Sequence, residues 1–237
     1  DVVAATPFVL RQVLLTTQSG VQGVVLRGID PKREANVTEL GKNITSGQLI
    51  DLLTPIKVMQ GPADDPQGAP RLVEKPGIIL GKELALRLGV FIGDTVNVVS
   101  PVGPISAMGM VPKIRTFAVV ALFHSGMYEY DSSLAYIELG EAQKFFNMAA
   151  SVSGVEVKVT DVFRAADIAR NIEQELGFSH GARDWMQMNR NLFSALKLEK
   201  TMMFLLLVLI TIVASFNIVS TLTMIVTEKQ KEIAILK

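Results

Sequence analysis

The chain has 237 residues, 23 Lys+Arg against 23 Asp+Glu, no cysteine and a mean hydropathy of +0.36. This length admits one large domain or two small ones, and the even charge balance lacks the basic stripe that nucleic-acid binding needs to neutralise phosphates. The missing cysteines exclude disulfides, thiolate metal sites and a cysteine nucleophile.

In chain order, residues 8–17 and 21–28 are β-rich and flank Gln18-Ser19-Gly20, which predicts a hairpin. Residues 60–77 hold four prolines and the pair Asp64-Asp65, and read as an exposed loop without regular structure. A short strand is predicted at 77–80, then a short helix over 82–88 ended by Gly89. Residues 94–100 and 114–122 alternate like strands, and 134–138 is another, followed by a helix near 141–147. Residues 154–160 alternate apolar and polar, and 162–176 has helical spacing through Val162, Ile168, Ile172 and Leu176. Trp185, Met188, Leu192 and Leu196 then recur at helical spacing. One helix is therefore expected from about Asp184, whose carboxylate suits the positive end of a helix dipole, into the apolar stretch that follows.

That stretch, Thr201 to Thr227, runs about 27 residues without a charge, against the ~20 that span a hydrocarbon core. As a helix it measures about 40 Å, enough to cross a bilayer with tilt. We read it as a transmembrane helix. Arg190, Lys197 and Lys200 precede it, while Lys229, Lys231 and Lys237 follow, so the positive-inside rule gives a tie. The chain begins at Asp1 and stops at Lys237 within a charged amphipathic segment, and is expected to be a piece of a longer protein.

Chemical machinery is sparse. No glycine sits in a G-x-x-x-x-G-K-[ST] pattern and there is no G-x-S-x-G. His124 and His180 lack metal-ligand spacing, and Glu173/Glu175 read as a solvated helix face. No enzyme, cofactor or metal is expected. Two features stand out instead. Pro101–Pro112 contains three prolines, two glycines and no charge, which disfavours strand pairing. It either projects ~15–20 Å with Ile105, Met108, Met110 and Val111 gripping a partner, or tucks these residues back into the core. Composition does not separate the two. The second feature is the amphipathic segment 228–237 beyond the span, a surface anchor or a contact for a partner. Within the span, Asn217, Ser220 and Thr221 form a polar face of the kind that packs helices.

The runs Leu192-FSALKLEKTMMFLLLVLI, Phe216-NIVSTL and Glu228-KQKEIAILK, with Ser151-VSGVEVKVTDVF and Gly23-VVLRGIDP upstream, resemble the lipoprotein-releasing ABC permeases of the LolC/LolE type, within the MacB/FtsX-like family. The resemblance covers nearly the whole chain. It implies an α+β periplasmic domain with MacB-like Porter and Sabre parts, joined by a long continuous helix to a transmembrane segment. Residues 1–29 and 151–183 would form the Porter part and 30–150 the Sabre part. Residues 184–227 would be stalk and span, and 228–237 a truncated cytoplasmic coupling segment. The protein would lie in the bacterial inner membrane with residues 1 to about 200 in the periplasm.

The resemblance further implies that Pro101, Val102, Gly103, Pro104, Ile105, Met108, Met110, Val111, Pro112, Lys113 and Arg115 form a hook that captures a periplasmic carrier chaperone. Such hooks are followed by Pro-Ser-Gln-Arg; here the chain reads Pro112-Lys113-Ile114-Arg115, so the amide is missing. Ser151-VSG and the TDVF run look closer to LolE, which points to one permease combining both roles. Glu228, Lys229, Lys231, Glu232 and Ile233 would couple to a separate ABC ATPase subunit, where ATP is hydrolysed. Met202, Met203, Phe204, Leu207, Ile210 and Ile218 are candidates for a wall facing lipoprotein acyl chains, in a cavity shared with a second permease subunit. The movement would pass along the helix by mechanotransmission. Rival readings are a MacB-like efflux or FtsX-like division permease, and a single-pass sensor with an extracellular ligand-binding domain.

Overall fold

The computed structural model describes residues 1–60, 71–101, 105–106, 109–177 and 180–235. It contains two compact units, 1–160 and 161–237, and the boundaries expected at 29/30 and 150/151 both fall inside the first.

The first unit is built on a long strand, β1 (Val2–Thr16), which turns at residues 17–20 into β2 (Val21–Ile29). The turn is closed by the Thr17 amide donating to the Gly20 carbonyl at 2.9 Å. β1 begins six residues before the run legible in the sequence, because Val2–Phe8 pairs with β12 (Gly154–Val159) from the far end of the unit. Its last three residues pair on β7 (Thr95–Ser100). β7 continues onto β10 (Lys113–Phe123), which turns parallel to β6 (Gly77–Gly81) and ends beside β3 (Ile44–Ser46). β6 pairs with β11 (Leu134–Glu138), and β11 lies parallel to β2. The ladder β1–β2–β11–β6–β10–β7 thus returns to β1.

Helices follow local signals. α1 (Pro31–Val37) opens with Asp30 accepting from the Lys32 amide and proline at its first position. A four-residue α2 (Leu40–Asn43) and a 3-10 turn at 49–53 follow. α3 (Lys82–Leu88) stops at Gly89, whose φ of +64° is the left-handed cap that ends a helix cheaply only at glycine. α4 (Tyr128–Ser133) precedes β11, and α5 (Leu139–Phe146) is capped by the Glu138 carboxylate on the Gly140 and Glu141 amides. Alternation in the strands sends Val13, Leu26, Leu80, Val98 and Phe117 to one core, completed by Leu84 of α3 and Phe145 of α5. Ile29, Ile79, Val120, Phe123 and Tyr136 form a second core with Leu40, Leu49 and Leu52. Gly28 lets α5 approach β2: a Cβ there would lie 2.4 Å from that of Ala142.

The expected structureless loop at 60–77 is shorter than its prolines imply. β4 (Ile56–Gln60) and β5 (Arg71–Lys75) pair antiparallel at its two ends, and 61–70 lie outside the described residues.

The second unit begins with a 3-10 turn at 162–164 and α6 (Ala165–Leu176). The helix expected from Asp184 is interrupted. α7 (Trp185–Met188) is a separate turn, and α8 (Arg190–Ile235) starts after Asn189. Asp184 caps α7 through the Gln187 amide at 2.8 Å. Asn189, at φ −103°, ψ 30°, ends that turn, and its backbone and side-chain amides both donate to the Trp185 carbonyl, at 3.1 and 2.8 Å. From Arg190 to Gln230 the helix is long and apolar enough to cross a membrane, and its apolar 18-residue stretch has no residue buried within the chain. Thr211, Ser215, Thr221, Thr223 and Thr227 return their hydroxyls to carbonyls one turn earlier. That satisfies them in hydrocarbon without a partner.

Candidate functional site: the hairpin beyond the sheet and the apolar helix

β7 and β10 pair up to Ser100 and Lys113, and the segment 101–112 leaves the sheet between them. Its prolines and glycines were expected to disfavour pairing. Instead β8 (Ile105–Ser106) and β9 (Gly109–Met110) form a short antiparallel ladder. Prolines 101, 104 and 112 all fall outside the four paired positions, so every paired residue keeps its N–H. Val102, Gly103, Pro104 and Met108 lie outside the described residues. Pro101, Val111 and Pro112 at the root are exposed.

The root is braced from one side. Lys113 donates its ammonium to the Lys144 carbonyl at 3.2 Å and to Asn147 Oδ1 at 3.0 Å, closing the C-terminal end of α5. A cation there also meets the negative end of the helix dipole. Arg115, two residues on and therefore on the same face, pairs with Glu141 of α5. Glu141 holds Lys144 as well, at 2.9 Å. Phe117, the next residue on this face, meets Phe145 edge-on at 6.4 Å. The two cations expected at the hook are thus both engaged by α5 within the chain. Ile114 between them faces the other way, 63 % exposed, and offers no hydrogen bond.

On that opposite face, next to the root, Gln12, Leu14, Gly23, Val25, Pro101 and Ser133 line a shallow groove of about 450 Å³. Leu14 lies directly across from Val99 on β7 and Gly23 on β2. The alternation of Leu10, Gln12 and Leu14 was the available signal, but only the pairing of β1 with β7 brings it beside Pro101.

His124, which lacks metal-ligand spacing in the sequence, meets the buried Asp131 at 2.7 Å. Burial alone raises the Asp131 carboxyl, but the amide and hydroxyl of Ser125 and the His124 ring together hold it below its usual value. This network fastens the start of α4 to the end of β10. Among the described residues no cluster of His, Asp and Glu suits a metal ion. Glu173 is not simply solvated, since it accepts the Ala182 amide at 2.7 Å.

On α8, Met202, Met203, Phe204, Leu207, Ile210 and Ile218 are all exposed, and so are the apolar residues between them. The helix is apolar all round, so no single wall is marked out. Glu228 and Lys229 continue the helix, as does the backbone of Lys231, Glu232 and Ile233.

Over all 237 residues the chain is 38 % identical to the lipoprotein-releasing system transmembrane protein LolC of Neisseria meningitidis serogroup B. In sequence the chain is similar to the LolC/LolE permeases along its whole length. It is 36 % identical to LolC of Xylella fastidiosa over 239 aligned residues, and 25 % identical to LolE of Haemophilus influenzae over 98 % of the chain. It spans about half the length of these relatives, 51–52 % of each. No protein-family model matches. Among solved structures, the extracellular domain of the ABC-type transporter YknZ gives a TM-score of 0.42 at 16 % identity, over 74 % of this chain and 77 % of that one. The periplasmic region of MacB from Actinobacillus actinomycetemcomitans gives 0.40 at 14 %, over 73 % and 67 %. As a LolC/LolE-type chain it combines a mixed α+β unit with a long apolar helix.

Proposed function

We propose that the chain is the periplasmic domain and a following membrane span of an inner-membrane permease subunit that releases lipoproteins. A separate cytoplasmic ABC ATPase would supply the energy through Glu228, Lys229 and the segment up to Lys237. A second permease subunit would complete the membrane cavity. In this reading residues 1–29 and 151–183 make the Porter part and 30–150 the Sabre part, consistent with β1 pairing on β12. Residues 1 to about 200 stand in the periplasm. α8, about 69 Å long at 1.5 Å per residue, is the rod along which ATP-driven movement passes. Its apolar flank, including Met203, Leu207 and Ile210, faces the acyl chains.

The observation that carries the proposal is the separate β8–β9 ladder between β7 and β10, apolar in sequence and followed by a root that α5 braces, in a chain similar to LolC along its whole length. Such a segment suits capture of a periplasmic carrier chaperone by Pro101, Val111, Pro112 and the residues between them. Lys113 and Arg115 then act first by fixing the direction of the hairpin through α5. The test is a pull-down of the carrier chaperone by the full chain in detergent, intact and with 101–112 replaced by a short Gly-Ser turn. Binding that disappears on replacement is expected. Equal binding by both forms refutes the hook assignment, and no binding by the folded intact chain favours a LolE-like role.

A further inference from the structure

The membrane-proximal end of the second unit carries charge that this reading leaves unused. Arg183, Met186, Met188, Arg190, Phe193 and Lys197 line a shallow cleft of about 670 Å³. Phe193 packs edge-on against Trp185 at 5.2 Å, and the Trp185 indole donates to the Val162 carbonyl at 3.1 Å. Among the described residues, none of Arg183, Arg190, Lys197 and Lys200 enters an ion pair, whereas Arg27, Arg33, Arg115 and Arg170 all do. The acidic residue lining the cleft, Asp184, is 6 % exposed and turned to the Gln187 amide. The cleft is therefore positive and partly apolar.

Its height is set by α8. Lys197 lies four residues before the charge-free stretch and Arg190 eleven, about 6 and 16 Å along the axis at 1.5 Å per residue. The headgroup layer adds about 5–7 Å beyond the hydrocarbon on each side. Any tilt that fits the ~40 Å stretch into a ~30 Å core lowers these positions further, and long cationic side chains reach down to the layer.

We propose that this cleft holds the headgroup of an anionic phospholipid from the adjoining leaflet. The guanidinium groups of Arg183 and Arg190 and the Lys197 ammonium suit the phosphate, while Met186, Met188 and Phe193 accept the glycerol and first methylenes. Its function is to fix the depth of α8 and the stance of α7 at the surface. The proposal needs only that α8 crosses a bilayer, and holds whatever cargo is carried. Near an anionic surface each cation contributes roughly fivefold in affinity, so three give about a hundredfold before salt screening.

The test uses the full chain in uncharged detergent micelles, titrated with dioleoylphosphatidylglycerol, dioleoylphosphatidylcholine or soluble glycerol 3-phosphate. Trp185, the single tryptophan of the chain, reports through its emission, and phospholipid retained through purification is counted by mass spectrometry. A saturable response to phosphatidylglycerol at a concentration at least about tenfold below that for phosphatidylcholine is expected, weakened at about 0.5 M salt. Retained lipid should be enriched in phosphatidylglycerol. The variant Arg183→Gln/Arg190→Gln/Lys197→Gln should treat both lipids alike. Half-points within about twofold in the parent chain, with no enrichment in retained lipid, overturn the proposal. So does a preference kept by the variant, which would leave the cations free for an acidic protein partner. An equal response to glycerol 3-phosphate overturns the lipid as occupant.

Discussion

Gly81 offers a direct test of how tightly β6 and α4 are packed. Its φ of −64° and ψ of 146° suit any residue, so by backbone entropy alone Gly81→Ala would stabilise by about 0.4–1 kcal/mol. A Cβ there, however, would stand 2.1 Å from the Asp131 carbonyl oxygen, 2.6 Å from its carbon and 2.8 Å from its Cα. All three atoms are backbone, so no side chain can swing aside. The strand and helix must separate by about an ångström to restore van der Waals contact, and forced overpacking of this kind costs about 1–3 kcal/mol. Asp131 is also the anchor of His124 and Ser125, so the displacement loosens that network too. The net expectation is a loss of about 1–2 kcal/mol, or a fall of about 0.5–1 M in urea midpoint at a slope near 2 kcal/mol/M. Gly20→Ala is the control, since nothing lies within 4 Å of a Cβ there and its φ is not positive. Near-UV circular dichroism is the assay, because the three tyrosines, 128, 130 and 136, all belong to the first unit, while Trp185 belongs to the second. Midpoints for Gly81→Ala and Gly20→Ala that coincide would refute the reasoning.

Phe145→Ala removes a fully buried ring that meets both Phe117 and Phe146; a loss of about 3–5 kcal/mol is expected by the same denaturation assay. Burial raises the Glu34 carboxyl above its usual value, only partly opposed by Arg27, Thr38 and Thr6. The folded state therefore binds that proton more tightly, and this contribution is lost as pH rises from about 4.5 through the raised value. Glu34→Gln should accordingly gain stability relative to the parent between pH 4 and 7, as read by thermal unfolding. Asp131 has the opposite sign: its folded-state value is lowered, so its contribution is present at neutral pH and lost in acid. Asp131→Asn should cost most near pH 7 and converge on the parent at low pH. Arg115→Leu removes a partly exposed ion pair and should cost no more than about 1 kcal/mol. A large loss of chaperone capture with stability kept would show that hairpin direction matters to docking.

Much of the first unit is legible locally. Gly89 ends α3, and the alternation in 95–100 and 154–159 reads as strand without help from neighbours. The charge-free stretch 201–227 dictates its own helix, because an apolar run of that length has nowhere else to satisfy its backbone. What cannot be read locally is set by partners distant in sequence. Val2–Phe8 extends only because β12 lies beside it, and the closing pair of β1 with β7 joins residues more than eighty positions apart. The break at Asn189 lies in the φ and ψ of a single residue, which the periodicity of its neighbours does not register.

The same division runs through the candidate site. Composition marked 101–112 as an apolar, proline-punctuated excursion, and hydropathy marked α8, because both depend on residues adjacent in the chain. Only the tertiary structure decided that Lys113 and Arg115 are spent on α5, that Ile114 faces outward, and that Leu14 and Pro101 share a groove. Strand alternation assigns side chains to two faces, but which face a helix covers is settled by packing alone.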